Sequence, residues 1–151
     1  MKNEETDVFI ELHVPDFQKA IDFYKILGFK VVWLIDDYLV MRRGRSILNF
    51  YKGSEDVYSH SYFKSFPKST KRGYAVEIVL LVDDLKSFYE QIKDKVKVVE
   101  KLQLKLWGSW DFRIEDVFGF YIRVSKKHDW VNNKGRIDNT KEIARKKGLK
   151  I

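Results

Sequence analysis

Glu11 and His13 stand two residues apart within a run of alternating aliphatic residues, so a strand there carries a carboxylate and an imidazole on one face. Such a pair could move a proton, with the carboxylate orienting the ring. The other histidines, His60 and His128, lie far from it in sequence and form no cluster. There is no cysteine, which removes disulfides, thiolate metal sites and a cysteine nucleophile. Neither a Ser-His-Asp spacing nor a glycine-rich phosphate loop is present. What the chain offers in quantity is flat apolar surface, with 15% of its residues aromatic. Trp33, Tyr38, Tyr51, Trp107, Trp110 and Tyr121 fall on predicted strands or adjoining loops. Rigid rings there can hold a planar or amphipathic ligand with little loss of side-chain freedom. Trp107, followed by Gly108 in a loop, is the first choice as a ligand contact.

The elements that must position these residues are legible from periodicity. Val8, Ile10, Leu12 and Val14 alternate with Phe9, Glu11 and His13, which predicts a strand over 8–14 with one aliphatic and one mixed face. Asp16 is placed to cap a helix, and Phe17, Ala20, Ile21 and Tyr24 fall at i, i+3, i+4 and i+7, the stripe of an amphipathic helix. Gly28 is its expected stop. Shifted by 68 positions the pattern returns: Val76, Ile78, Leu80 and Val82 repeat the strand, Asp84 the cap, and Leu85, Phe88, Tyr89 and Ile92 the stripe. This is an internal duplication. Three further strands follow in each copy, predicted over 29–35, 38–43 and 46–51, then over 97–101, 110–115 and 120–125. The expected fold is α+β, with two tandem βαβββ units whose helices cover one face of each sheet. The opposite faces are left to form a concave cleft, where function would sit.

The domain is expected to span residues 1–126, with units at about 8–52 and 74–126 joined by a linker over 53–73. Tyr58, Tyr62, Phe63 and Phe66 in that linker suggest that it packs onto the domain. The net charge of +7 is concentrated in a C-terminal tail: residues 127–151 carry +5 and residues 1–126 only +2. A basic tail on a near-neutral body argues against a nucleic-acid surface. A helix is expected in it over 139–147. The acidic opening stretch does not read as a signal peptide, and no apolar run approaches the ~20 residues of a membrane span. Together with the lack of cysteine, this points to a cytoplasmic protein without a membrane partner.

The tandem units resemble the vicinal oxygen chelate superfamily, which includes glyoxalase I, extradiol dioxygenases and bleomycin-resistance proteins. The likeness is carried by HVPDFQKAIDFYKILGFKVVW, by DDYLVMRRGRSILNFY and by LWGSWDFRIEDVFGFYIRV, whose last turn keeps the first Asp and the Gly of that branch's DPDG. The resemblance implies a homodimer and a ligand cleft, and in the enzymes of the superfamily a divalent metal held by four strands. Carried over, the metal positions are Phe9, Asn49, Glu77 and Arg123. A phenyl ring has no donor atom, and a guanidinium repels a cation. Three or more good ligands are needed, and only Glu77 is one. Instead Glu77 and Arg123 are expected to pair. The reading is therefore a metal-free, cofactor-free protein of the bleomycin-resistance-like branch that binds a small aromatic or amphipathic molecule. Its candidate ligand contacts are Glu11, His13, Trp33, Tyr38, Asn49, Tyr51, Glu77, Trp107, Trp110 and Arg123. The rival is a glyoxalase- or dioxygenase-type enzyme with a metal relocated to Glu11, His13 and Glu77.

Overall fold

The structure, a computed structural model, describes residues 6–53, 60–67 and 69–151. The first unit runs β1 (Ile10–Val14), α1 (Phe17–Ile26), β2 (Lys30–Leu34), β3 (Tyr38–Arg43) and β4 (Ser46–Lys52). The second runs β5 (Glu77–Val82), α2 (Leu85–Ile92), β6 (Lys97–Leu104), β7 (Trp110–Glu115) and β8 (Tyr121–Lys126). Each unit makes one four-stranded mixed sheet, ordered β1-β4-β3-β2 and β5-β8-β7-β6, with β1 and β5 parallel to their neighbours. These are the two βαβββ repeats that the 68-residue shift predicts, and the sheets do not close into a barrel.

Both helices begin where the sequence places them. The Asp16 carboxylate accepts from Lys19 N–H at 3.0 Å, and Asp84 accepts from Ser87 N–H at the same distance. At the end of α1, Gly28 takes φ +90, a left-handed conformation that only glycine adopts cheaply, and Phe29 N–H returns to the Tyr24 carbonyl. The core draws on both units: Leu12, Val14, Tyr24 and Phe50 from the first, with Leu80, Val82, Phe112 and Ile122 from the second. α1 buries Phe23 beside Ala20 and Tyr24, while Phe17 and Ile21 are half-buried.

The aliphatic face of β1 is buried only along its second half. Val8 precedes the strand and Ile10 is exposed, because β1 is a sheet edge and its first residues lie outside the core. Polar pins also join the units. The Tyr24 hydroxyl donates to Asp116 at 2.8 Å, and Arg43 donates to the Leu81 carbonyl at 3.4 Å.

In the linker, Phe63–Ser65 forms a short 3-10 turn, and its aromatic residues Tyr62, Phe63 and Phe66 pack on one another. Tyr58 lies outside the described residues. The tail helix, α3 (Lys134–Lys146), starts five residues before the expected 139, because Asn133 caps it by accepting from Arg136 N–H at 3.2 Å. Among the described residues no helix is long and apolar enough to cross a membrane.

Candidate functional site

The ten predicted contacts divide between the two units. Glu11 and His13 from β1, Asn49 and Tyr51 from β4, Tyr38 from β3 and Trp33 from β2 gather on the uncovered face of the first sheet. Register explains the gathering: Glu11 lies opposite Asn49, His13 opposite Tyr51, and Tyr38 opposite Tyr51 on its other side. The Glu11 carboxylate accepts from the Tyr38 hydroxyl at 2.6 Å and pairs with His13 Nε2 at 3.1 Å. Asn49 Nδ2 donates to the Tyr38 oxygen at 3.2 Å. Trp33 stacks on Tyr38, with ring centres 5.6 Å apart and planes 22° from parallel. The linker closes over the far end, where the His60 and Phe63 rings lie 4.9 and 5.3 Å from that of His13, and Arg72 donates to the His13 carbonyl.

Burial holds the His13 pKa below its ordinary value of 6.5, although Glu11 opposes this. The Tyr38 pKa is raised, first by burial and then by the Glu11 carboxylate. The linker residues His60 and Phe63 were not among the predicted contacts, since a loop's resting place depends on long-range packing that periodicity does not encode.

Glu77, Trp110 and Arg123 lie on the second sheet, and Trp107 lies in its β6–β7 connection. Glu77 and Arg123 do approach, with Nε 3.5 Å from Oε1. The geometry falls outside a hydrogen bond, and Arg123 Nε is buried without a hydrogen-bond partner. The nearer cation on Glu77 is Arg113 of β7, at 3.2 Å. Arg113 also donates to the Tyr121 hydroxyl at 2.7 Å and to both oxygens of Asp111, which is 1% exposed. Burial opposes its charge, but the bonds to Asp111 and Tyr121 prevail and raise its pKa above the usual guanidinium value. Arg113 escaped the sequence reading, although alternation along Asp111, Arg113 and Glu115 sets all three on the face of Glu77 and Arg123.

Beside this network opens a cleft of about 1480 Å³, lined by Trp107, Trp110, Arg123, Trp130 and Arg136 among others. The first two come from the β6–β7 connection and the start of β7, and the last two from the tail. All three indoles are more than half exposed. Gly108 turns the chain at φ +86 and fixes where Trp107 stands, its N–H donating to the Lys105 carbonyl at 2.9 Å.

The four positions of the enzymes' metal do not suit a divalent cation. Phe9 has no donor atom, Glu77 faces two guanidiniums of which Arg123 is one, and Asn49 offers only a neutral amide oxygen. Glu11, the other acid of a relocated site, is held by His13 and Tyr38, whereas Glu77 lies on the other sheet. Among the described residues no group of three or more His, Asp or Glu is disposed to hold a metal ion.

A family model described as the Glyoxalase/Bleomycin resistance protein/Dioxygenase superfamily matches residues 8–124. The chain belongs to this superfamily. Solved structures of the superfamily's fold agree with the architecture. The bleomycin resistance determinant encoded on transposon Tn5 shares 21% identity, with a TM-score of 0.59 over 83% of this chain and 100% of its own. A bleomycin-binding protein complexed with bleomycin shares 21% identity, with a TM-score of 0.58 over 82% of this chain and 100% of its own. Lactoylglutathione lyase from Agrobacterium tumefaciens shares 18%, with a TM-score of 0.58 over 83% and 96%. At these identities the likeness establishes the superfamily's fold. No curated protein sequence matches the chain.

Proposed function

We propose that the chain is a metal-free binding protein of the bleomycin-resistance-like branch that captures a small aromatic or amphipathic molecule in the cleft of its second unit. The observation that carries this reading is the meeting of Trp107, Trp110 and Trp130 with Arg123 around one cleft of about 1480 Å³, more than roomy enough for a drug-sized molecule. Exposed indoles offer flat apolar walls, and the buried Arg123 Nε offers an unmet donor that a polar group of the ligand would satisfy. Glu77, ion-paired behind Arg123, orients it. Capture needs no covalent step: burial of the ligand is itself the protection, as suits a relative of a protein solved with bleomycin bound.

Residues 1–126 act as one domain, with the tail as a wall of the cleft. A cytoplasmic location accords with the absence of cysteine. A homodimer belongs to the same reading. It is supported by the exposed apolar side chains Val31, Val32 and Leu34 on the edge strand β2 and Ile35 just after it, a surface that a lone soluble chain rarely leaves open. Light scattering checks it, and a monomer at micromolar concentration removes that part.

The decisive experiment pairs metal analysis with ligand titration. Protein purified without chelators should hold no stoichiometric metal, and a stoichiometric divalent ion would overturn the reading. Screening planar aromatic compounds by tryptophan fluorescence should find a ligand. Trp107→Ala should then weaken it by about tenfold, the loss of roughly 1.4 kcal/mol of aromatic contact. Trp107 is exposed, so the variant should keep its thermal midpoint. Equal affinity in both proteins would exclude this wall.

A further inference from the structure

The face of the first sheet that carries Glu11, which the linker rings cap at its His13 end, has a hydrogen-bonding polarity that can be traced proton by proton. The Tyr38 hydroxyl lies 2.6 Å from the Glu11 carboxylate, so its single proton points there. Asn49 must then present its amide NH₂ to the Tyr38 oxygen at 3.2 Å. The reverse amide orientation would draw that proton away and leave two bare oxygens 2.6 Å apart. His13 Nε2, at 3.1 Å from Glu11, carries the ring's proton for the same reason. With burial keeping the ring neutral near pH 7, Nδ1 holds a lone pair.

The Tyr38 hydroxyl, the Asn49 Nδ2 group and His13 Nε2 thus all point inward, onto Glu11 or Tyr38. Two acceptors are left over. Asn49 Oδ1 and His13 Nδ1 are both buried and have no hydrogen-bond partner, and Asn49 as a whole is only 6% exposed. An unmet buried acceptor costs about 1–3 kcal/mol. Here two share one face of neighbouring strands, about 7 Å apart along the strand direction by strand rise. The Glu11 carboxylate lies between the polar groups, and the exposed Trp33 ring stacked on Tyr38 stands alongside.

We infer that this face is a second ligand site, distinct from the tryptophan-lined cleft, and that it takes a planar nitrogenous cation presenting N–H donors, of the amidine or amino-heterocycle class. Its N–H groups complete Asn49 Oδ1 and His13 Nδ1, its charge is met by Glu11, and its plane continues the Trp33–Tyr38 stack. A carboxylate of the same shape brings lone pairs to lone pairs and a negative charge to Glu11, so it is rejected. The second sheet has the opposite need, for there the unmet group is the Arg123 donor.

Benzamidine and benzoate are matched probes for the full-length chain. With the histidine side chains labelled with nitrogen-15, benzamidine should move the His13 Nδ1 resonance and benzoate should not. Glu11→Gln, at an exposed position, and Asn49→Leu should each raise the benzamidine dissociation constant by about tenfold or more. The resonance readout is made on the unaltered protein, so the inference stays testable even if Asn49→Leu fails to fold. An unmoved His13 resonance at saturating benzamidine overturns it, as does equal binding of the two probes or an affinity unchanged by Glu11→Gln. Such results would assign the two acceptors to bound water alone.

Discussion

His13 has the most informative environment of any single side chain in the molecule. It lies under the linker rings, faces Glu11, and is kept neutral chiefly by burial. Its folded pKa is depressed, so between that value and about 6.5 the unfolded chain binds a proton that the folded chain excludes. Stability must therefore decline as pH falls below about 6.5, and this contribution is absent above it. Urea unfolding at pH 7.5 and at pH 5.5 should show the decline, and His13→Gln should make it shallower. A slope unaffected by the substitution would place the titrating group elsewhere. Glu11 and His13 were legible in the sequence as a pair on one strand face. Their supporting contacts were less so: Tyr38 and Asn49 were named as separate contacts, and only strand register joins them into one chain of hydrogen bonds.

Among the elements, the closing β7–β8 hairpin shows how far pattern reasoning reaches. The sequence retains Asp116 and Gly119 of its turn and has lost the residues between, and the turn forms regardless, with Gly119 N–H donating to the Asp116 carbonyl at 3.2 Å. Asp116 does more than turn the chain. Its carboxylate accepts from Phe118 N–H at 2.9 Å, from Phe120 N–H at 2.8 Å and from the Tyr24 hydroxyl on α1. Burial pushes its pKa up while these bonds pull the other way. Removing the carboxylate strands three donors in the interior, so Asp116→Ala should cost about 3 kcal/mol. Denaturant titration should show a lower midpoint with the slope unchanged. A loss under about 0.5 kcal/mol, the range of ordinary surface substitutions, would mean that water replaces the carboxylate. The bond to Tyr24 joins residues 92 positions apart, which is why no local signal announced it. α3 was misplaced for a different reason. It is polar nearly all round and buries only Ala144, so it has no apolar stripe to mark its start, and Gly135 in its first turn is a poor helix former.

At the scale of the whole molecule, the duplication fixes the architecture but leaves the two copies chemically unlike. The 68-residue shift preserves the core positions, since Leu12 and Val14 must pack as Leu80 and Val82 do. The uncovered faces are under no such constraint. Glu11 on one copy corresponds to Val79 on the other, and Phe9 to Glu77. The shared core therefore makes the sheets legible in the sequence, while the diverged faces hide that the candidate contacts fall into two groups. The tail lies outside the repeat, and its contribution of Trp130 and Arg136 to the cleft emerges only in three dimensions.

The single core shared by both repeats also bears on how the protein came to exist and how it can be taken apart. Neither half owns a finished interior: Tyr24 reaches into the turn of the later half, and Arg43 into its first strand. A chain severed between residues 53 and 60 becomes two fragments, each with a raw apolar wall that matches the other. Expressed separately, they should be poorly soluble. Expressed together, they should reassemble into a complex that co-elutes and melts cooperatively, much as two ancestral copies would have met before fusion joined them.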